Sequence, residues 1–181
     1  MSKSTADKLL QDLARLDFLT YQHSIAVAES MKSLAQKLGL SEDLCQEAEL
    51  LGAVHELGKL QTPPELFKKL QSGQKLSAEQ RAQLHHTPKA LLAVLGVSWL
   101  NPKLIKAIEH MGCRYNGTGK PNIKGDSIPP LSRMLAICDV YDLLLRQRGK
   151  PAGDESLARQ ALSNNKGKWF DPKLVEAFLK R

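Results

Sequence analysis

Apolar residues recur every three to four positions through nearly all of this chain, and that spacing constrains its fold more than any other feature. Leu9, Leu10, Leu13 and Leu16 form one stripe. The segment "HSIAVAESMKSLAQKLG" carries a second through Ile25, Ala28, Met31, Leu34, Ala35 and Leu38 to a closing glycine. Ser41, with Glu42 and Asp43 behind it, predicts the N-cap of a third helix through "LCQEAELLGAVHE". "TPPELFKKLQSGQ" reads as a turn and a short helix closed by Gly73, and "SAEQ" has the serine and glutamine of a capping box. It opens a helix through "RAQLHHTPKALLAVLG" that Pro88 disturbs or kinks. Asn101 and Pro102 occupy the cap and first helical positions of "NPKLIKAIEH". After the Gly-, Pro- and Asn-rich loop "CRYNGTGKPNIKGDSIPP" come the helices "LSRMLAICDVYDLLLRQR", "DESLARQALSNN" and "DPKLVEAFLKR". No segment alternates with period two for long enough to make a sheet. The fold class is therefore all-α, a bundle of about seven to nine helices without internal repeat or linker.

The 181 residues, 42% hydrophobic and 25% charged, suit one well-packed domain. Apolar runs such as "LLAVLGVSWL" are too short to span a bilayer, and the polar start "MSKSTADK" lacks the apolar core of a secretory signal. A soluble, cytoplasmic protein is expected. The odd, widely spaced cysteines Cys45, Cys113 and Cys138 argue for reduced thiols rather than a disulfide framework. The net charge of +7 raises nucleic-acid binding, but the basic residues are scattered and aromatics make up 5% of the chain, which counts against it. A basic pocket for a small phosphorylated ligand suits the charge as well.

The chemistry-bearing residues are few. His23 lies early on a helix, His55 precedes Glu56 at a helix end, His85 and His86 are adjacent, and His110 ends a helix before the loop. Asp139 sits inside the apolar "LAICDVYDLLL", where a lone buried carboxylate is costly and calls for a cation, a hydrogen-bond network or a metal. Imidazoles and carboxylates gathered by a helix bundle make a site suited to Fe, Mn or Zn.

These motifs, in this order, resemble the HD-GYP family. "HELGKLQTPPELFKKLQSGQKLSAEQ" is similar to its His-Asp-x-Gly-Lys region, "RYNGTGKP" to its Asp-Gly-x-Gly-Tyr-Pro loop, "LAICDVYDLLL" to its late Asp-bearing helix and "GKWFDPKLVEAF" to its closing segment. The resemblance implies a helical domain over residues 18–181, and the leucine stripe adds a helix in 1–17 that forms one globular unit with it. It also implies bacterial cyclic di-GMP signalling, in which the family hydrolyses the messenger at a site of two or three metal ions. Carried over, the metal positions are Leu19, His23, His55, Glu56, His86, Met111, Gly112 and Asp139. Of these, His23, His55, His86 and Asp139 keep the ligand type, and Glu56 replaces an aspartate with a longer arm. Leu19, Met111 and Gly112 are not ligands. The implied cofactor is one divalent ion or none, not the full set. Lys59 and Glu56 are the implied catalytic residues, and Arg114, Asn116, Gly117, Gly119 and Lys120 the implied ligand-binding ones. In that loop Asn116 replaces aspartate and Lys120 replaces tyrosine.

Two functions follow from the resemblance. One is a degenerate domain with little or no conventional phosphodiesterase activity, working as a ligand-sensing or protein-interaction module. The other is a phosphodiesterase or phosphohydrolase acting through a mononuclear site. The implied partners are a cyclic dinucleotide or another small phosphorylated ligand, and another signalling domain such as a diguanylate cyclase.

Overall fold

The computed structural model describes residues 3–84, 88–146 and 155–180. In chain order the helices are α1 (Lys3–Leu16), α2 (Phe18–Lys37), α3 (Glu42–Val54), α4 (Pro64–Gln71), α5 (Ala78–Leu84), α6 (Pro88–Leu95), α7 (Pro102–Glu109), α8 (Pro130–Leu145), α9 (Glu155–Asn164) and α10 (Pro172–Leu179). Among the described residues there is no sheet, only an isolated bridge between Lys166 and Phe170. The fold is all-α, as the periodicity predicts. Among the described residues there are ten α-helices where the pattern suggests about seven to nine, and Pro88 is the first residue of α6. His85 and His86 fall in the residues between, outside those described.

Local signals place most helix starts. Ser41 Oγ accepts from the Leu44 amide, Asn101 Oδ1 from Leu104 and Asp171 Oδ1 from Lys173. Ser77 and Gln80 exchange reciprocal bonds, both 3.1 Å long. Asp17 does the same for α2, its Oδ1 accepting from the amides of Leu19 and Thr20. The helix therefore begins at Phe18, seven residues ahead of the stripe that starts at Ile25. At its far end α3 stops at Val54, with His55 as its C-cap and Glu56 in the following turn. The sequence pattern instead runs this helix through both residues.

The core is built around the α2–α3 hairpin. Val27, Met31, Leu34 and Ala35 of α2 meet Cys45, Ala48, Leu51 and Val54 of α3, joined by Leu13, Leu91, Ala107, Ile108 and Met134. The two helices touch backbone to backbone at Gly52, where a Cβ would lie 2.6 Å from Ala28 Cα. Helix α8 packs across this pair, and Ile137, on α8, shares a smaller cluster with Leu162, Phe170 and Val175. All three cysteines are buried and unbridged. No described helix is long and apolar enough to cross a membrane.

Candidate metal centre

Three helices converge at one buried point. His23 comes from α2, His55 from the C-cap of α3 and Asp139 from α8. His23 Nε2 lies 3.1 Å and His55 Nε2 3.8 Å from Asp139 Oδ1, and the two rings stand edge to face with centroids 5.3 Å apart. One ligand atom from each residue fits within a span of 4.8 Å. Both imidazoles are almost fully buried, while the Asp139 side chain keeps 32% of its surface exposed and gives the cluster a route to solvent.

The outward-facing nitrogens are anchored. His55 Nδ1–H donates to the Gly52 carbonyl at 2.6 Å, which turns Nε2 toward Asp139. His23 Nδ1 lies 2.7 Å from Asp142 Oδ2, so its Nε2 also faces the cluster. Burial alone would lower the His23 pKa, but the hydrogen bonds to Asp139 and Asp142 outweigh it and raise it to about 9. Burial would likewise raise the Asp139 pKa, yet hydrogen bonds to His23 and His55 hold that carboxyl well below the usual carboxylate range. Two oriented imidazoles and a carboxylate, with the far side of each ring pinned, form a donor set that fits one divalent ion.

Glu56 stands at the edge of this cluster. Its Oε2 pairs with Lys59 Nζ at 2.8 Å, and its Oε1 is 3.9 Å from His55 Nε2. Leu19 is exposed on the first turn of α2, and Met111 and Gly112 follow the end of α7. The structure thus brings His23, His55 and Asp139 together and sets Glu56 and Lys59 at their flank. His86 lies outside the described residues. The residue that sequence reasoning misses is Asp142. Its signal is present in "CDVYDLLL": a second carboxylate one helical turn after Asp139, in the same apolar helix and under the same burial penalty.

In the glycine-rich loop, Gly112 and Gly119 mark a crossing of two backbone segments. A Cβ at 119 would sit 2.3 Å from the Gly112 carbonyl oxygen, and one at 112 would sit 2.8 Å from that of Lys120. Gly117, at φ +86°, supplies the left-handed turn. Asn116 Oδ1 accepts from the amide and hydroxyl of Thr118, and the Arg114 guanidinium stacks 4.6 Å above the Trp169 ring. The amides of Tyr115 and Asn116 donate to the carbonyls of Trp169 and Lys168. The loop is therefore stitched to the closing segment, with Lys120 exposed on its surface.

One family model covers nearly the full length of the chain. Residues 8–174 match the HD domain family, and the chain belongs to it. Its relatives bear out the HD-GYP resemblance. The chain is 33% identical over 178 residues to a cyclic di-GMP phosphodiesterase of Pseudomonas aeruginosa, covering 94% of this chain and 42% of that protein. It is 32% identical over 167 residues to 3′3′-cGAMP-specific phosphodiesterase 2 of Vibrio cholerae, covering 88% and 31%. An HDG"Y"P protein from Bdellovibrio bacteriovorus has the same fold, with a TM-score of 0.65 at 23% identity over 86% of this chain and 50% of that one. The chain spans less than half the length of these two curated relatives.

Proposed function

We propose that this protein is an HD-GYP-like domain of cyclic dinucleotide signalling with a metal site reduced to one ion, working as a ligand-sensing or protein-interaction module with little conventional phosphodiesterase activity. The observation that carries this reading is the donor set. His23, His55 and Asp139 converge, Glu56 is drawn to Lys59, and Leu19, Met111 and Gly112 add no ligand atom. His23, His55 and Asp139 would hold the ion, which when bound supplies positive charge and lowers the pKa of a bound water. The Gly52 carbonyl and Asp142 hold the two rings in place. Lys59, partly exposed beside Glu56, would meet a phosphate oxygen of the ligand. The relatives named for cyclic di-GMP and 3′3′-cGAMP make a cyclic dinucleotide the first ligand to test, and the family resemblance makes a diguanylate cyclase the first partner domain.

A second reading, hydrolysis at the same mononuclear site, draws on the pre-anchored imidazoles and on the Glu56–Lys59 pair at the edge of the cluster. One experiment separates the two. Metal content is measured by inductively coupled plasma mass spectrometry on wild type and His55→Ala, followed by calorimetric cyclic di-GMP binding and chromatography of its products. About one equivalent of metal, absent from His55→Ala, with ligand binding but no turnover, is the expected result. Turnover that disappears with a chelator would establish the second reading instead. A folded wild type that takes up no metal on reconstitution would refute both.

A further inference from the structure

Behind His23 lies a chain of two further side chains, Asp142 and then Arg146. Asp142 is buried, and its Oδ2 accepts at once from His23 Nδ1 at 2.7 Å and from Arg146 Nε at 2.5 Å. Arg146 also reaches across to α2, where its Nη2 donates to the Gln22 carbonyl at 3.3 Å, on the residue next to His23. An ordinary i,i+4 pair on a helix surface lies in solvent and contributes about 0.2–0.5 kcal/mol. This pair differs, because its carboxylate is buried against an imidazole 119 residues away in sequence.

We infer that Asp142 and Arg146 are positioning residues for the metal site, Asp142 aiming His23 Nε2 at the cluster and Arg146 holding Asp142 in place. The inference rests on the single-ion reading above. An imidazole that ligates a metal is neutral, so the cation then left on the buried Asp142 carboxylate is Arg146. Without it, the carboxylate loses both its counter-charge and the bond that sets its rotamer. The contact with Gln22 adds a second tie, holding the end of α8 against the stretch of α2 that carries His23. Partners of this kind behind a metal-bound histidine change metal affinity by about 10- to 100-fold.

The test uses cobalt(II) as the probe ion on the whole chain, reading affinity by titration and the visible spectrum of the loaded site. Wild type, Asp142→Asn, Arg146→Met and Arg146→Lys are compared, with Arg159→Met, whose side chain meets Glu155 and the Leu179 carbonyl, as a control. Asp142→Asn should weaken cobalt binding by about 10- to 100-fold and alter the spectrum, since the ring loses its charged anchor. Arg146→Met should weaken it about tenfold, Arg146→Lys should recover part of the loss, and Arg159→Met should match wild type. Equal affinities, within about twofold, and identical spectra for Asp142→Asn, Arg146→Met and wild type would overturn the assignment. If Asp142→Asn does not fold, the partly exposed Arg146 decides the matter through its two variants. A wild type that binds no cobalt would refute the single-ion reading and this inference with it. Cobalt binding indifferent to both substitutions removes this inference alone.

Discussion

Gly52→Ala sets two opposite effects against each other at the position where α2 and α3 touch. Alanine is the better helix former by about 1 kcal/mol, so propensity alone makes the variant more stable. Packing argues the other way. The new Cβ would lie 2.6 Å from Ala28 Cα, 2.8 Å from Ala28 N and 3.1 Å from Val27 C, all of them backbone atoms without a rotamer to yield. Carbon atoms rest comfortably at about 3.5–4.0 Å, so the two helices must part by about 1 Å. Overfilling a packed interior costs about 1–3 kcal/mol, and a clash of backbone with backbone belongs at the upper end. The net expectation is a loss of about 2 kcal/mol, which for a domain of this size lowers the melting temperature by about 4–8 °C. The site should suffer too, because the Gly52 carbonyl is the anchor of His55 Nδ1. A shift of that size exceeds the roughly 0.2 Å tolerance of metal–ligand distances. Thermal and urea denaturation, with metal content measured alongside, provide the assay. An unchanged or raised melting temperature with metal retained would refute the close α2–α3 approach and the dependence of the site on it.

Three further outcomes follow from the same structure. Gly119→Ala should lower stability by about 3 kcal/mol, because its Cβ meets the Gly112 oxygen and the Arg114 nitrogen at the loop crossing. Gly73→Ala, at φ +72° with open space around it, should cost about 1 kcal/mol, and comparable urea midpoints for the two would contradict this account. Arg133 pairs with Asp171, which is 4% exposed, and with Asp126, which is 84% exposed. Arg133→Met should therefore cost about 3 kcal/mol by stranding Asp171, and Asp126→Asn less than about 1 kcal/mol, as read by denaturant titration. In chelated protein, the His23 pKa raised from 6.5 to about 9 makes that group's stabilisation complete below pH 6.5 and lost as pH rises through about 9. Melting temperature should fall across that window, and His23→Gln should flatten the fall; an equal slope in the variant would exclude His23 as its source.

Much of this protein is legible from neighbouring residues alone. Periodicity sets the all-α class, and the caps at Ser41, Ser77, Asn101 and Asp171 act within a few residues of themselves, so short windows of sequence suffice to place them. His55 and Asp139 stand out for the same local reason, one at a helix end before a carboxylate, the other a charge in an apolar run. The cap at Asp17 and the end of α3 at Val54 are less visible, because side-chain bonding and the tight turn at Leu57–Gln61 override the apolar stripe. The site itself is a tertiary product. His23 reaches Asp139 across 116 residues and Asp142 across 119, and no local rule says that α2 and α8 will meet there. How near Glu56 comes to the cluster and to Lys59 likewise depends on the turn after α3, which its own charge does not reveal. By itself, then, the sequence determines the helical class, most of the caps and the kinds of group available for chemistry, since these depend on backbone hydrogen bonds and burial along a single segment. Which of those groups meet, and at what distance, depends on how closely the helices approach: a glycine at 52 lets α3 lie backbone to backbone against α2, and the packing of α8 across the pair brings Asp139 to the two imidazoles.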